Sequence, residues 1–152
     1  MIQPIDEELV WDARLFIYTT ITNTELPPTI AQIAAHFHIS TAHAQRLFHD
    51  LHQRHAIFLD PATGSIRMAN PYSIVPTRYR VLANERAYWA NCAWDAFGIA
   101  AMLDTDAQIH TRCADNDQSI LMTIHSGQFE PKAGVVHFVL PFARWYDDLV
   151  FT

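Results

Sequence analysis

The sequence has little of several features that mark special classes of protein. Its 152 residues include 2 cysteines and 4 glycines, too few for a disulfide-stapled scaffold or a collagen-like or low-complexity chain. No apolar run approaches the roughly 18 residues that span a bilayer, and residues 1–8 carry three acids where a secretory signal peptide has positive charge. These absences favour a cytoplasmic chain with no membrane partner, whose cysteines stay thiols.

The remaining composition predicts a compact globular protein. Hydrophobic residues make up 50% of the chain and charged residues 17%, which excludes intrinsic disorder. Ten basic residues stand against 16 acidic ones, so the formal net charge is −6. Because affinity for phosphate comes mainly from clustered Lys and Arg, this balance argues against non-specific nucleic-acid binding.

Residues 1–75 are predicted to form a three-helix domain of the winged helix-turn-helix type. Apolar spacing and capping patterns, such as Thr29 followed three residues later by Gln32, predict three helices and then a β-hairpin; their approximate ranges are 6–23, 29–37, 40–55 and 57–68. This order is typical of DNA-binding domains. Four arginines against seven carboxylates leave this half with a charge of −3, so DNA binding through residues 29–69 is the less favoured interpretation.

Residues 76–152 are predicted to form a small α+β core after a proline-containing linker over residues 70–76. Asn84 is expected to cap a helix over residues 85–103 that is apolar on most sides, so we expect one central helix packed on a mixed or antiparallel sheet that wraps around it. The predicted strands are 107–112, 119–125 and 134–140, with a loop over 126–132. The last strand is expected to be buried on both faces.

Cys92 and Asp95 are the candidate chemical residues. Three positions apart on the predicted helix, they would share one face with Cβ atoms about 5–6 Å apart. A thiolate binds soft metals, and a carboxyl group in apolar surroundings holds its proton near neutrality. Trp89, Trp94 and Phe97 are expected to supply a low-dielectric wall. On these residues alone the alternative stays open that Cys92 is a small buried hydrophobe and Asp95 bonds a neighbouring backbone group.

Three segments follow one another in the second half, and together they carry a resemblance. They are Tyr88-Trp89-Ala90-Asn91-Cys92-Ala93-Trp94-Asp95, Arg112-Cys113 at a predicted strand end, and Val139-Leu140-Pro141. Their order, after a winged-helix-like half, resembles the organomercurial (alkylmercury) lyase family, most strongly over residues 85–141. The resemblance implies protonolysis of a carbon–mercury bond, with Cys92 binding mercury as a thiolate and Asp95 delivering the proton.

The resemblance also implies the partners of the reaction. The substrate is a small organometallic compound, no organic cofactor is required, Hg(II) is the product bound at Cys92 and Asp95, and external thiols remove it. The family uses a further cysteine downstream of the one matching Cys113, and this sequence has no third cysteine. We therefore expect either a core truncated at its C-terminus or a site with one thiolate. Cys113 itself is interpreted as a packing residue, with a supporting thiol as the alternative.

The histidines allow a second metal hypothesis. His49, His52 and His55 recur every third residue, with His36 and His38 in the preceding turn, so zinc or nickel could be bound. Because this spacing drifts around a helix by about 60° per step, solvated surface histidines are the favoured interpretation. Those in predicted strands are expected to have hydrogen-bonded structural roles; they are His110, His125 and His137.

Two classes of function follow from these residues, besides a soft-metal binder that has lost catalysis. The first is a lyase-like enzyme. The second is a winged-helix regulator that senses a soft metal through Cys92 and Cys113. Salt-dependent DNA binding would distinguish the regulator, and release of hydrocarbon from an organomercurial would distinguish the enzyme.

Overall fold

A computed structural model of the chain describes residues 6–131, 134–138 and 140–147. The predicted α+β class is confirmed. The helices are α1 (Glu7–Thr24), α2 (Ile30–His36), α3 (Thr41–Gln53), α4 (Ala93–Leu103) and a 3-10 helix (Phe142–Asp147). The strands are β1 (Phe58–Leu59), β2 (Ile66–Ala69), β3 (Tyr72–Ser73), β4 (Tyr79–Ala83), β5 (Arg86–Ala90), β6 (Ala107–Arg112), β7 (Ser119–His125) and β8 (Gln128–Glu130). They form one antiparallel sheet in the order β1-β2-β3-β5-β4-β6-β7-β8.

Local capping signals determine where the first three helices begin. The Asp6 side chain accepts from the Glu8 backbone N–H at the start of α1, and the capping box that opens α2 is present in full. Ser40 caps α3 by accepting from the His43 N–H. Each cap satisfies a backbone donor that the helix itself leaves unpaired. The three helices and the β1–β2 hairpin occur in the predicted order, while their assignment to the winged-helix class stays a prediction.

The predicted helix over residues 85–103 is wrong over residues 85–92. Residues 86–90 form β5, and α4 begins only at Ala93. Asn84 and Glu85 have φ angles of 49° and 61°, so they form the two-residue turn between β4 and β5 instead of a helix cap. Aromatic residues favour strands, and the alternation of buried and partly exposed side chains along β5 shows the period of two that a sheet requires.

The predicted linker contains a strand. Tyr72 and Ser73 form β3, which pairs with β2 on one side and β5 on the other. Helix α1 is hydrogen-bonded to β3 and β5 through Thr22. The Thr22 hydroxyl shares a 2.9 Å hydrogen bond with the Tyr72 hydroxyl, and the Thr22 carbonyl accepts from the Tyr88 hydroxyl at 2.7 Å. The sheet and the core therefore run across residue 75, and the division of the chain there into two domains stays a prediction.

Helix α4 lies on one face of the sheet, against β4, β5 and β6. Its buried residues are Ala96, Ile99 and Ala100, whereas Trp94 is 67% exposed. The expectation that the sheet wraps around this helix is therefore wrong: small residues allow one side of the helix to approach the sheet closely, and the opposite side faces solvent. Side chains of β6 alternate between buried and exposed, so the second sheet face is open.

The last predicted strand is also wrong. Residues 134–138 are irregular, with Val135 93% exposed, and residue 139 lies outside the described residues. Strand β8 lies instead in the predicted loop, because Ser126 and Gly127, both with positive φ, turn the chain back onto β7. The predicted strands 107–112 and 119–125 are present. Among the described residues no helix has both the length and the apolar character to cross a membrane.

Candidate functional site

Cys92 and Asp95 meet at the N-terminus of α4. Cys92 is the N-cap residue, with an extended backbone conformation, and Asp95 lies in the first helical turn. The side chain at an N-cap and the side chain three residues later come together on the helix end. Here the Cys92 side chain is close enough to the Asp95 carboxyl group to oppose the rise that burial causes in the pKa of that group. The contact thus arises from a helix cap, not from two positions within a helix as the sequence suggested.

Both groups of this pair hold their protons more tightly than they would in water. Burial raises the pKa of Asp95, and hydrogen bonds from Asn91 and Cys92 only partly oppose it. Burial likewise raises the pKa of the Cys92 thiol, and the negative charge of Asp95 adds to the rise. The backbone N–H groups of Asp95 and Trp94 favour the thiolate, but neither makes a well-aligned capping bond to the sulfur, so burial prevails.

Asn91 joins the carboxyl group to the N-terminal half of the chain. Its Nδ2 donates to Asp95 Oδ2 at 3.1 Å and to Asn70 Oδ1 at 2.9 Å. The Asn70 carbonyl in turn accepts from the Tyr18 hydroxyl of α1 at 2.8 Å. Asn91 Oδ1 is buried and has no partner among the described residues. Sequence reasoning missed both asparagines; the available signal was the position of Asn91 directly before Cys92.

A glycine allows the turn that carries Asn70 to reach α4. A Cβ atom at Gly98 would lie 3.3 Å from Pro71 Cβ, which is closer than apolar carbon atoms normally pack. Because Gly98 has no side chain, the turn between β2 and β3 rests directly on the helix, one turn beyond Asp95. This contact fixes the distance between the asparagine pair and the carboxyl group.

Two tyrosines, not the predicted tryptophans, interact electrostatically with the pair. Burial raises the pKa of Tyr18 and of Tyr79; the charge of Asp95 contributes to the first rise and that of Cys92 to the second, so each phenol lies near one of the two groups. Trp94 is exposed, and Trp89 lies on the open sheet face. Of the three aromatic residues expected to form the wall, Phe97 alone is half-buried on α4, where its ring packs against Phe129 at 5.6 Å.

Cys113 is separate from this pair. It directly follows β6 and opens the turn to β7, with its N–H donating to the Gln118 carbonyl at 2.8 Å. It is a half-buried free thiol at the same end of the sheet as Cys92, with β4 between the two strands that carry them. No group of three or more His, Cys, Asp or Glu side chains among the described residues is arranged to hold a metal ion. Cys113 therefore does not complete a three-residue ligand set with Cys92 and Asp95.

Among the described residues, the histidines between positions 36 and 55 are not arranged to hold a metal ion either. Of the five, His52 is half-buried and the other four are exposed, as the surface interpretation expects. His125 is paired with Asp106, whereas His137 lies in the irregular segment and not in a strand. Two surface grooves on the sheet are lined by other residues than Cys92 and Asp95.

Comparison with known proteins gives a family and a fold relative. The family model described as "MerB: Alkylmercury lyase" matches residues 72–151. A solved structure described as the mercury-bound form of MerB2 is similar to this chain, with a TM-score of 0.66 and 25% sequence identity over 84% of the chain. The chain spans 60% of the length of that solved protein. No curated protein matches the chain.

Proposed function

This chain belongs to the alkylmercury lyase family, and on that premise we propose that it cleaves the carbon–mercury bond of small organomercurials by protonolysis. Cys92 binds mercury as a thiolate, and Asp95 moves the proton. The observation that supports this assignment is the contact between the thiol and the carboxyl group at the start of α4. A soft ligand and a proton carrier are there within reach of one atom.

The first step is ligand exchange at mercury. The Cys92 sulfur replaces the ligand opposite the carbon group, and the thiol proton passes to the neighbouring Asp95 carboxylate. A metal that coordinates a thiol removes its proton outright, so the raised pKa of Cys92 does not prevent this step. The raised pKa of Asp95 lets the carboxyl group keep the proton until the next step.

The second step breaks the bond to carbon. Thiolate coordination increases electron density at mercury and makes the bound carbon more basic. The Asp95 proton then moves to that carbon, and the electron pair of the carbon–mercury bond becomes the new C–H bond. Hydrocarbon leaves, while Hg(II) stays on the Cys92 sulfur and the regenerated Asp95 carboxylate. External thiols remove the ion by exchange, and no organic cofactor takes part.

A non-catalytic Hg(II)-binding protein is the second candidate. Cys113 is not grouped with Cys92 and Asp95, so the site described here contains one thiolate. A single thiolate gives mercury less electron density than two do, and binding would then continue without cleavage. Measurement of hydrocarbon separates these candidates, because both bind Hg(II) but only the lyase releases the organic group.

The regulator alternative has less support. Arg54 at the end of α3 is bound to Glu7 at 2.6 Å and to Asp50 at 2.7 Å. Its charge is thereby neutralised on the helix that would enter a DNA groove. Specific binding to its own promoter, with a steep dependence on salt, would restore this candidate.

The experiment uses the full chain, an arylmercury salt and excess low-molecular-weight thiol, with gas chromatography for the released hydrocarbon and metal analysis for bound mercury. We expect Cys92→Ser to lose binding and release, and Asp95→Ala to keep binding but lose release. Cys113→Ser is the matched control and should keep both. Binding without release in the unmodified chain would favour the non-catalytic candidate, and equal losses in Cys113→Ser and Cys92→Ser would contradict the assignment of the thiolate.

A further inference from the structure

A basic groove lies on the open face of the sheet. A groove of about 360 Å³ is lined by basic and aromatic side chains, which include Arg78, Arg80, Trp89, His110 and Arg112. Its lining contains no Asp or Glu, in a chain whose net charge is −6. Three of the ten basic residues of the chain are thus concentrated in one concave surface.

Strand pairing determines how these side chains converge. Arg80 is directly opposite His110 on β6 and Trp89 on β5. Arg78 directly precedes β4 and Arg112 ends β6, and both side chains line the same groove. Charges of one sign that line a single groove repel one another, and low-dielectric walls concentrate their field. The arrangement has an electrostatic cost that a bound anion would remove.

The groove is also partly preorganised. The Arg80 guanidinium lies 4.9 Å from the centre of the Trp89 ring, and Arg112 is held by Asp117 at 3.0 Å. Within the described residues no carboxylate lies within ion-pair distance of Arg78 or Arg80. Because Arg80 already covers one face of the indole, a nucleic-acid base has less room to stack there. A compact anion fits better than a nucleic-acid strand.

We propose that this groove binds a compact oxyanion with two negative charges, a phosphate group or a small dicarboxylate. The planar fork of a guanidinium group donates two parallel hydrogen bonds to either kind of oxygen pair. Arg78 and Arg80 supply the unneutralised charge, and His110 supplies a further ring nitrogen. This site is on the sheet face opposite α4, so the proposal does not depend on the carbon–mercury chemistry.

The test is calorimetric titration of the full chain with inorganic phosphate and, separately, with succinate, at constant ionic strength set with chloride. We expect saturable binding at one site per chain for at least one of the two anions. The anion that binds more tightly shows whether the groove prefers a phosphate group or a dicarboxylate. Arg80→Gln and Arg78→Gln are each expected to weaken binding about tenfold, because each removes charge-assisted hydrogen bonds. Arg80→Lys keeps the charge but loses the planar guanidinium fork, so its affinity should lie between those of the unmodified chain and Arg80→Gln.

The matched control is Arg86→Gln. Arg86 lines a different groove that also contains Glu25, Glu85 and Asp106, so its loss should leave binding unchanged. Circular dichroism verifies that each variant folds, and the exposed Arg78 variant keeps the test available if the Arg80 variants do not fold. The proposal is overturned if neither anion binds above the chloride background. It is also overturned if Arg78→Gln binds each anion as tightly as the control Arg86→Gln does.

Discussion

Asn91→Leu tests whether the hydrogen bond to Asp95 controls the proton carrier. Leucine has a similar volume but no donor, so the carboxylate loses the 3.1 Å bond from Asn91 Nδ2. A hydrogen bond to a charged group contributes roughly 1.5–3 kcal/mol when buried. Because Asp95 is only half-buried, we take the lower end, which corresponds to a rise of about one pKa unit.

The sign of this change determines the expected pH profile. Asn91 stabilises the charged form, so its removal adds to the rise that burial already causes in the pKa of Asp95. The carboxylate that must accept the thiol proton is then fully formed only at higher pH. We expect the rising limb of the cleavage rate to move up by about one pH unit. Asn91→Asp keeps the shape but places a second negative charge beside Asp95, so its shift should be larger.

Two measurements make this reasoning refutable. Carboxyl-detected NMR follows the pKa of Asp95 directly, without mercury, and the pH profile of hydrocarbon release follows its effect on the reaction. Asn23→Leu is the matched control, because Asn23 is exposed on α1. If Asn91→Leu and Asn23→Leu give the same Asp95 pKa and the same profile, Asn91 does not act on the carboxyl group.

Three further predictions concern stability. Phe48→Ala removes a fully buried ring and should lower the free energy of unfolding by about 3–5 kcal/mol in urea; a loss below about 1 kcal/mol, the level expected for a surface site, would contradict its place in the core. Glu85→Gly relieves a positive φ in a two-residue turn and should raise the free energy of unfolding by about 1 kcal/mol, seen as a higher Tm, whereas a lower Tm would argue against this turn. Hydrogen bonds from the Ser126 backbone N–H and, secondly, from His125 lower the pKa of Asp106. The stability that Asp106 contributes is therefore present above its unfolded pKa of about 3.9. This contribution is lost as the pH falls through the lower pKa of the folded state. Asp106→Asn should therefore reduce the acid dependence of the urea midpoint, and an unchanged dependence would show that Asp106 contributes nothing there.

Local signals explain which parts of the fold could be predicted. The Thr29–Gln32 capping box and the Ser40 cap are complete within a few residues, so α2 and α3 could be predicted from sequence. Strand β5 could not, because its aromatic and alanine residues also suit a helix, and pairing with β4 and β3 decides the outcome. The turn at Asn84 and Glu85 contains no glycine that would have marked it.

The candidate site also contains one feature that the local sequence predicts and one that it does not. The interval between Cys92 and Asp95 brings two side chains together both within a helix and across a helix cap, so their contact could be predicted even though the helix boundary was wrong. Asn70 could not be recognised, because its approach to Asn91 depends on a turn that packs against Gly98. No local pattern encodes that contact.

The turn at Asn70 and Pro71 has a practical consequence for fragments of this chain. The family model begins at residue 72, so a fragment cut at that boundary would lack Asn70 and the Tyr18 hydroxyl that donates to its carbonyl. Helix α1 is thus connected to the asparagine pair through the Tyr18 hydroxyl. Shortening the protein to the matched residues would remove the hydrogen bond that Asn91 donates to Asn70, and Asn91 is the residue that donates to Asp95.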